Sequence, residues 1–260
     1  ARAADWRPLV VSSIRDIMQE GRAASRVGES LELFRNCYDL LLVHGDPRLI
    51  RIEQTLQGAG ELVDRVRYSG LVTPPPPDLT VPPSIAADVV ISAGGGAVGH
   101  ALTAAAITAK RFAVRMTGPW LLVTGPERSQ ADHEWLRSQA GEGIEVVRFV
   151  PDLTRVLASA RVSVSRAGYN TVGDLMRARC RAVLVPFAGG RETEQLRRAE
   201  LLAAWGSAAM LRDDELSPAS LAGAIDEAAD RQPIGADWDL EGAAHSADIL
   251  LAELALRRGS

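Results

Sequence analysis

Ser165-Arg166-Ala167-Gly168-Tyr169-Asn170-Thr171 has the residue types of a ligand loop. It lies between an apolar alternating run, Val162-Ser163-Val164, and a helical pattern, Val172-Gly173-Asp174-Leu175-Met176. A strand that runs through a glycine turn into a helix leaves several backbone N–H groups unpaired and pointing one way. Such a turn suits a phosphate or the polar edge of a ligand. Asp174 falls one helical turn inside the helix that Asn170 or Thr171 is expected to cap. A carboxylate there can accept two hydrogen bonds from a ribose diol, and it can equally complement the helix dipole. Further on, Ala182-Val183-Leu184-Val185-Pro186 opens into Phe187-Ala188-Gly189-Gly190-Arg191-Glu192-Thr193-Glu194-Gln195. Glu194 and Gln195 stand at the start of the next helical pattern, as ligand groups or as a solvated first turn.

A third loop, Ser92-Ala93-Gly94-Gly95-Gly96-Ala97-Val98-Gly99, opens a helix directly after an apolar strand. Its glycines let backbone approach a ligand closely, and the helix N-terminus favours an anion. No Gly-Lys-Ser/Thr follows, so it is not a Walker loop, and no acidic residue closes a following strand as a dinucleotide fingerprint requires.

The elements that position these loops alternate regularly. Strands are predicted near 88–92, 119–123, 144–149, 161–165, 182–186 and 207–211, and helices near 97–108, 130–139, 152–159, 171–179, 193–205, 217–229 and 240–257. Two-sided apolar strands alternating with helices mean a parallel sheet covered on both faces, which binds ligands at the carboxyl ends of its strands. Ahead of this region, strands are expected near 8–14, 39–43 and 66–72. Helices are expected near 25–36, with Leu31 and Phe34 on the apolar face, and near 48–56. Pro74-Pro75-Pro76-Pro77 and Pro82-Pro83 deny their neighbours helix and sheet. They suggest a linker over 74–86 between a domain at 1–73 and another at 87–235, with a C-terminal helix over 236–260.

The 260 residues are 47% hydrophobic and 24% charged, an ordinary globular balance, and the net charge of −4 argues against a nucleic-acid partner. Cys37 and Cys180 show no ligand spacing and are expected as reduced, mostly buried thiols of a cytoplasmic protein. No His, Cys or carboxylate pair has metal spacing. His44 at a strand end is a candidate general base. His100 beside the glycine loop can reach a phosphate or sugar. His133 and His245 are expected exposed on helices, and Trp120, Trp135 and Trp205 in core or interface.

Arg148-Phe149-Val150-Pro151-Asp152-Leu153, then Ser165 through Leu175, then Val185-Pro186-Phe187 and Glu194-Gln195, resemble in order and spacing the nucleotide-binding domain of MurG-like glycosyltransferases. The resemblance covers about residues 86–230. It implies an α/β fold of the GT-B type with two Rossmann-like parallel-sheet domains, the N-terminal one incomplete. Function is implied with it: transfer of a sugar, N-acetylglucosamine, from a UDP-sugar to an acceptor hydroxyl or amine, with inversion and without a metal or cofactor.

By the same resemblance Gly94, Gly95 and Gly96 meet the donor diphosphate, and Ala167, Gly168 and Thr171 flank it. The backbone at Phe149-Val150 reads the uracil edge, Asp174 holds the ribose, and Gln195 with Glu194 holds sugar hydroxyls. The chain departs from the family where Asp174 replaces the usual Glu. It also departs at Tyr68-Ser69-Gly70-Leu71-Val72, where a phosphate-facing arginine is absent, and at residues 1–73, which match only the back half of the acceptor-side domain. A nucleotide-sugar hydrolase or epimerase, and a donor-binding module completed by another chain, remain as alternatives. The resemblance also admits peripheral association with a membrane, and it names neither acceptor nor oligomeric state.

Overall fold

Strands with no solvent face need cover on both sides, and Val89-Val90-Ile91, Trp120–Val123 and Val162–Ser165 are buried along their length. The computed structural model describes residues 8–19, 24–94, 99–187, 189–190, 192–235 and 237–258. They form two compact units, Ala1–Thr73 with Asp237–Ser260, and Pro74–Ala236.

The first unit has a parallel three-stranded sheet in the order β1-β2-β3, with β1 at Val11–Arg15, β2 at Leu40–His44 and β3 at Val66–Tyr68. Helix α1 (Ala24–Cys37) lays Leu31 and Phe34 against Leu41 and Val43, as its apolar spacing predicts. Of the helix expected near 48–56 only one 3-10 turn forms, Ile52–Gln54, and a second, Ala59–Arg65, follows it. Gly58 between them has φ +85°, a left-handed conformation that an α-helix cannot continue through. β3 likewise stops short of the predicted 66–72 because the chain turns at Gly70 with φ +82°.

The second unit carries β4 (Val89–Ser92), α2 (His100–Ala109), β5 (Trp120–Val123), α3 (Gln130–Gln139) and β6 (Ile144–Val147). These are followed by α4 (Leu153–Ser159), β7 (Val162–Ser165), α5 (Tyr169–Ala178), β8 (Ala182–Leu184), α6 (Glu194–Ala204), β9 (Ala209–Met210) and α7 (Pro218–Ala228). All six strands are parallel, in the order β6-β5-β4-β7-β8-β9. The order reverses between β4 and β7. Right-handed crossovers leave β4 in one direction and β7 in the other, so the loops after these two strands part over a crevice at the sheet's carboxyl edge. Leu102, Ala105 and Ala106 of α2 pack with Leu221, Ala222 and Ile225 of α7 over Val89, Ile91 and Val164.

The last helix, α8 (Gly242–Arg258), belongs to the first unit. Ion pairs from Arg257 to Asp39 at 2.8 Å and from Arg67 to Glu253 at 2.9 Å hold it there. At its start a Cβ on Gly242 would stand 2.5 Å from the Gly70 carbonyl, so only glycine fits. The proline segment clusters with the second unit. The Ser84 amide donates to the Asp152 carboxylate at 3.0 Å, and Arg155 of α4 donates to the Asp78 carbonyl at 3.2 Å. Among the described residues no helix is long and apolar enough to cross a membrane.

Candidate functional site

The register sets the loops level. Ser92 of β4 lies opposite both Val123 of β5 and Ser165 of β7, and Val123 lies opposite Val147 of β6. Every loop singled out by its glycines and polar residues in the second unit therefore opens on one edge of one sheet.

After β4, Gly94 adopts φ +84° and Gly99 φ +132°. A Cβ on Gly99 would meet the Ala93 Cβ at 2.7 Å, so the loop returns onto its own start and only glycine fits there. Gly95 and Gly96 lie outside the described residues. His100 opens α2, exposed, and stacks on Trp135 of α3 with ring centroids 5.4 Å apart.

After β7, α5 begins at Tyr169 with Gly168 as its extended N-cap, two or three residues before the cap expected at Asn170 or Thr171. Gly168 imposes no side chain on the turn, and Tyr169 is already buried against the fold. Among the described residues no acceptor takes the amides of Ala167, Gly168, Asn170 or Thr171. The amides suit an anion. Asp174 therefore sits more than one turn inside α5. It is half-buried, and among the described residues nothing donates to its carboxylate. Burial pushes its carboxyl up from the ordinary 3.8 to about 6.

After β6, Val150 is buried and the Phe149 side chain is 66% exposed. Among the described residues nothing pairs with the backbone N–H or C=O of either. Asp152 is the N-cap of α4, but its carboxylate makes no capping bond and takes the amide and hydroxyl of Ser84, which hold it below the usual carboxylate range.

After β8, Glu192 organises the turn, its Oε1 accepting the amides of Glu194 at 2.8 Å and Gln195 at 3.3 Å. The Gln195 Oε1 accepts the Phe187 amide at 3.2 Å. Glu194 is paired with Arg198 at 2.8 Å, and the same guanidinium donates to the Ala167 carbonyl at 3.0 Å. Arg198 thus ties the β8 loop to the β7 loop. It is fully buried and lies 5.7 Å from the Tyr169 ring.

Arg166, also buried, donates to the Val185 carbonyl at 3.0 Å and to Asp213 at 2.7 Å. Sequence reasoning gave neither arginine a role, although Arg166 lies within the Ser165–Thr171 loop. For Arg198 the available signal was its place one turn after Glu194, next to the buried Ala199. Asp213 also lines a cavity of about 330 Å³ with Pro186, Gly189, Leu196, Arg212 and Asp214, which none of the predicted site residues reaches.

The histidines and cysteines divide differently from expectation. His133 is buried, not exposed, its Nδ1 bonded to the Thr124 hydroxyl at 3.1 Å. Desolvation first, then Arg148 and Arg137, lower its pKa. Its spacing to the buried Leu136 places it on the inner face of α3. His245 is exposed. His44 is held on both ring nitrogens, Nε2 by Ser13 at 2.7 Å and Nδ1 by Ser69 at 2.9 Å, and burial lowers its pKa. Trp120 is core, whereas Trp135 and Trp205 are 44% and 57% exposed. Cys180 is buried but Cys37 is exposed.

Residues 89–234 match the family model of the glycosyltransferase family 28 C-terminal domain. The chain is similar to two UDP-N-acetylglucosamine--N-acetylmuramyl-(pentapeptide) pyrophosphoryl-undecaprenol N-acetylglucosamine transferases. With that of Xanthomonas axonopodis pv. citri it shares 36% identity over 95 residues, 36% of this chain and 22% of that protein. With that of Azotobacter vinelandii it shares 39% over 89 residues, 34% and 25% of the two chains. It thus spans about a quarter of the length of these curated relatives.

Among solved structures, the calicheamicin glycosyltransferase CalG4 superposes with a TM-score of 0.53 at 21% identity, over 79% of this chain and 50% of that one. The glycotransferase of kitacinnamycin superposes at 0.57 and 18%, over 76% and 49%. That likeness is one of fold, the two-domain GT-B type. The family match runs from the first strand of the six-stranded sheet to just past its last helix, more than half of the sequence. The chain belongs to the glycosyltransferase family 28 C-terminal domain family.

Proposed function

We propose that the six-stranded unit binds the donor of a glycosyltransferase that moves a sugar from a UDP-sugar, N-acetylglucosamine by analogy with the relatives' names, to an acceptor hydroxyl or amine. Asp174 carries this reading. A half-buried carboxylate with no partner among the described residues, raised by burial to about 6, is a group prepared for hydrogen-bond donors, and a ribose diol supplies two. The unpaired backbone of Phe149-Val150 then faces the base. The amides of Ala167, Gly168 and Thr171, with the Gly94–Gly96 loop, face the diphosphate.

Glu194 is already paired with Arg198, and Gln195 has its carbonyl oxygen on Phe187, which leaves the Gln195 amide group to meet sugar hydroxyls. The reaction is an in-line displacement. The acceptor oxygen attacks the anomeric carbon, the bond to the diphosphate oxygen breaks, and UDP leaves with the bonding pair. The acceptor proton passes to a base, for which His44 is the candidate once a serine releases one ring nitrogen. Loop amides and the N-termini of α2 and α5 stabilise the departing charge, the work that a metal ion does in other transferases.

Calorimetry with UDP tests donor binding, and a coupled assay for UDP release from UDP-N-acetylglucosamine tests turnover, with and without EDTA. Absence of UDP binding refutes the reading. Loss of turnover in EDTA refutes metal independence. Free sugar or an epimer formed without acceptor shows hydrolysis or epimerisation instead.

A further inference from the structure

Arg128, in the turn after β5, is 5% exposed, yet no carboxylate among the described residues pairs with it. Its Nε donates one long bond to the Thr124 carbonyl at 3.4 Å, and its Nη2 is enclosed without a partner among the described residues. A buried guanidinium so sparsely bonded is costly to the fold unless a ligand satisfies it. Other buried arginines of this unit differ. Arg166 and Arg198 each hold a carboxylate and a backbone carbonyl.

The place of Arg128 follows from the ladder. Beyond the strand ends the β5–β6 pairing continues, the Thr124 amide donating to the Val147 carbonyl at 2.9 Å. The next rung of a parallel ladder takes the Phe149 amide to the Thr124 carbonyl. Here that rung is not made. Arg128 Nε occupies the Thr124 carbonyl, and the Phe149 amide has no acceptor among the described residues. The ladder shifts instead, the Gly125 amide donating to the Arg148 carbonyl at 3.1 Å, so the loops at this end of the β5–β6 pair carry both Arg128 and a Phe149 amide with no acceptor among the described residues. The Arg128 carbonyl is fixed in turn by Arg148 at 2.7 Å.

We propose that Arg128 reads the nucleobase, donating to a carbonyl of a pyrimidine-2,4-dione beside the backbone of Phe149-Val150. This rests on the donor reading above and adds a specificity residue to it. Uracil presents acceptor, donor, acceptor along its pairing edge. Two donors, the guanidinium and a backbone N–H, with a backbone C=O between them, complement that order. Cytosine turns the first acceptor into an amino group and the central donor into an acceptor. Its amino protons then oppose the guanidinium, and binding is disfavoured by a clash of donors as well as by lost bonds.

The test is calorimetric binding of uridine, UDP, CDP and pyrophosphate to the wild-type chain, Arg128→Met and Arg128→Lys. The wild type should prefer UDP to CDP by roughly a hundredfold, and Arg128→Met should narrow that preference to within about tenfold. Uridine and UDP should weaken by the same factor, and pyrophosphate should not change. A loss for UDP and pyrophosphate with uridine unchanged would make Arg128 a phosphate ligand and overturn the proposal. Equal affinity of the wild type for UDP and CDP overturns it without any variant, which covers the case in which the variants do not fold. Failure of the wild type to bind either uridine or UDP refutes the donor reading instead.

Discussion

Replacing Asp174 by Asn should stabilise the unliganded protein at neutral pH and weaken its hold on the nucleoside. Burial raises the carboxyl from 3.8 to about 6. Below about pH 4 it is protonated in folded and unfolded chains alike and has no effect on stability. Between 4 and 6 the unfolded chain loses the proton and the folded chain keeps it, so stability falls as pH rises. Above 6 the full penalty is present. A shift of this size corresponds to roughly 3 kcal/mol, and the remaining solvent contact of the side chain screens it to about half, ~1.5 kcal/mol. Asn is nearly isosteric and neutral throughout.

Urea unfolding from pH 4.5 to 8 should therefore show Asp174→Asn gaining on the wild type up to about pH 6 and holding ~1.5 kcal/mol above it. Uridine binding should fall by about 1–3 kcal/mol at pH 7.5, the scale of hydrogen bonds to an ionised acceptor. Uridine is the proper probe because the terminal phosphate of UDP titrates in the same range. Wild-type uridine affinity should rise through pH 6 as the carboxylate forms. A stability difference that does not vary with pH, or a variant less stable than the wild type at pH 7.5, would mean that the carboxylate is bonded within the fold, and the argument for its ligand role would be lost.

Arg198→Met should destabilise the protein by about 3–5 kcal/mol in chemical denaturation, because it leaves the Glu194 carboxylate and the Ala167 carbonyl without their donor. A change under about 1 kcal/mol would show that the two loops are not held by this guanidinium. Gly99→Ala forces a side chain onto φ +132° and against Ala93; about 2–3 kcal/mol of thermal stability and much of the UDP affinity should go together, and unchanged UDP binding would remove the loop from the site. Of the two thiols, native-state alkylation at pH 8 followed by mass spectrometry should mark Cys37 alone. Burial pushes the Cys180 thiol up to about 12, and urea should expose it; labelling of both in the native protein contradicts that burial.

The alternation of elements in the second unit was legible because its strands are short, mostly Val, Ile, Leu and Ala, with few charged residues, and the helices between them carry apolar residues at helical spacing. Boundaries erred where one glycine outweighed better capping residues: Asn170 and Thr171 have the side chains for an N-cap, but Gly168 and the buried Tyr169 start α5 earlier. The helix expected near 48–56 also erred, since only the 3-10 turn Ile52–Gln54 forms within that span.

What holds the site together was not legible, since it depends on partners distant in sequence. An arginine on a helix is expected at the surface, and nothing near Arg198 announces that the Ala167 carbonyl, 31 residues away, will be its acceptor. His133 was misplaced for the same reason, its partner Thr124 coming from the end of a strand.

Asp174 shows where sequence and structure divide the labour. Its spacing from Gly168 already placed a carboxylate beside an amide-lined turn, and the resemblance gave it a ribose. Neither said whether the carboxylate was satisfied within the fold. It stands among α5 residues that are fully buried, Val172, Leu175 and Met176, and is itself desolvated, while no donor comes to it from any described element. Folding alone gives no return for that arrangement, since a neutral residue there would be more stable at neutral pH. Arg128, in the turn after β5, repeats the pattern with the opposite charge. A half-buried carboxylate on α5 and a buried guanidinium after β5, each short of partners among the described residues, are an acceptor and a donor, the polarity that a nucleoside presents in reverse, with its ribose diol at one end and its base carbonyls at the other.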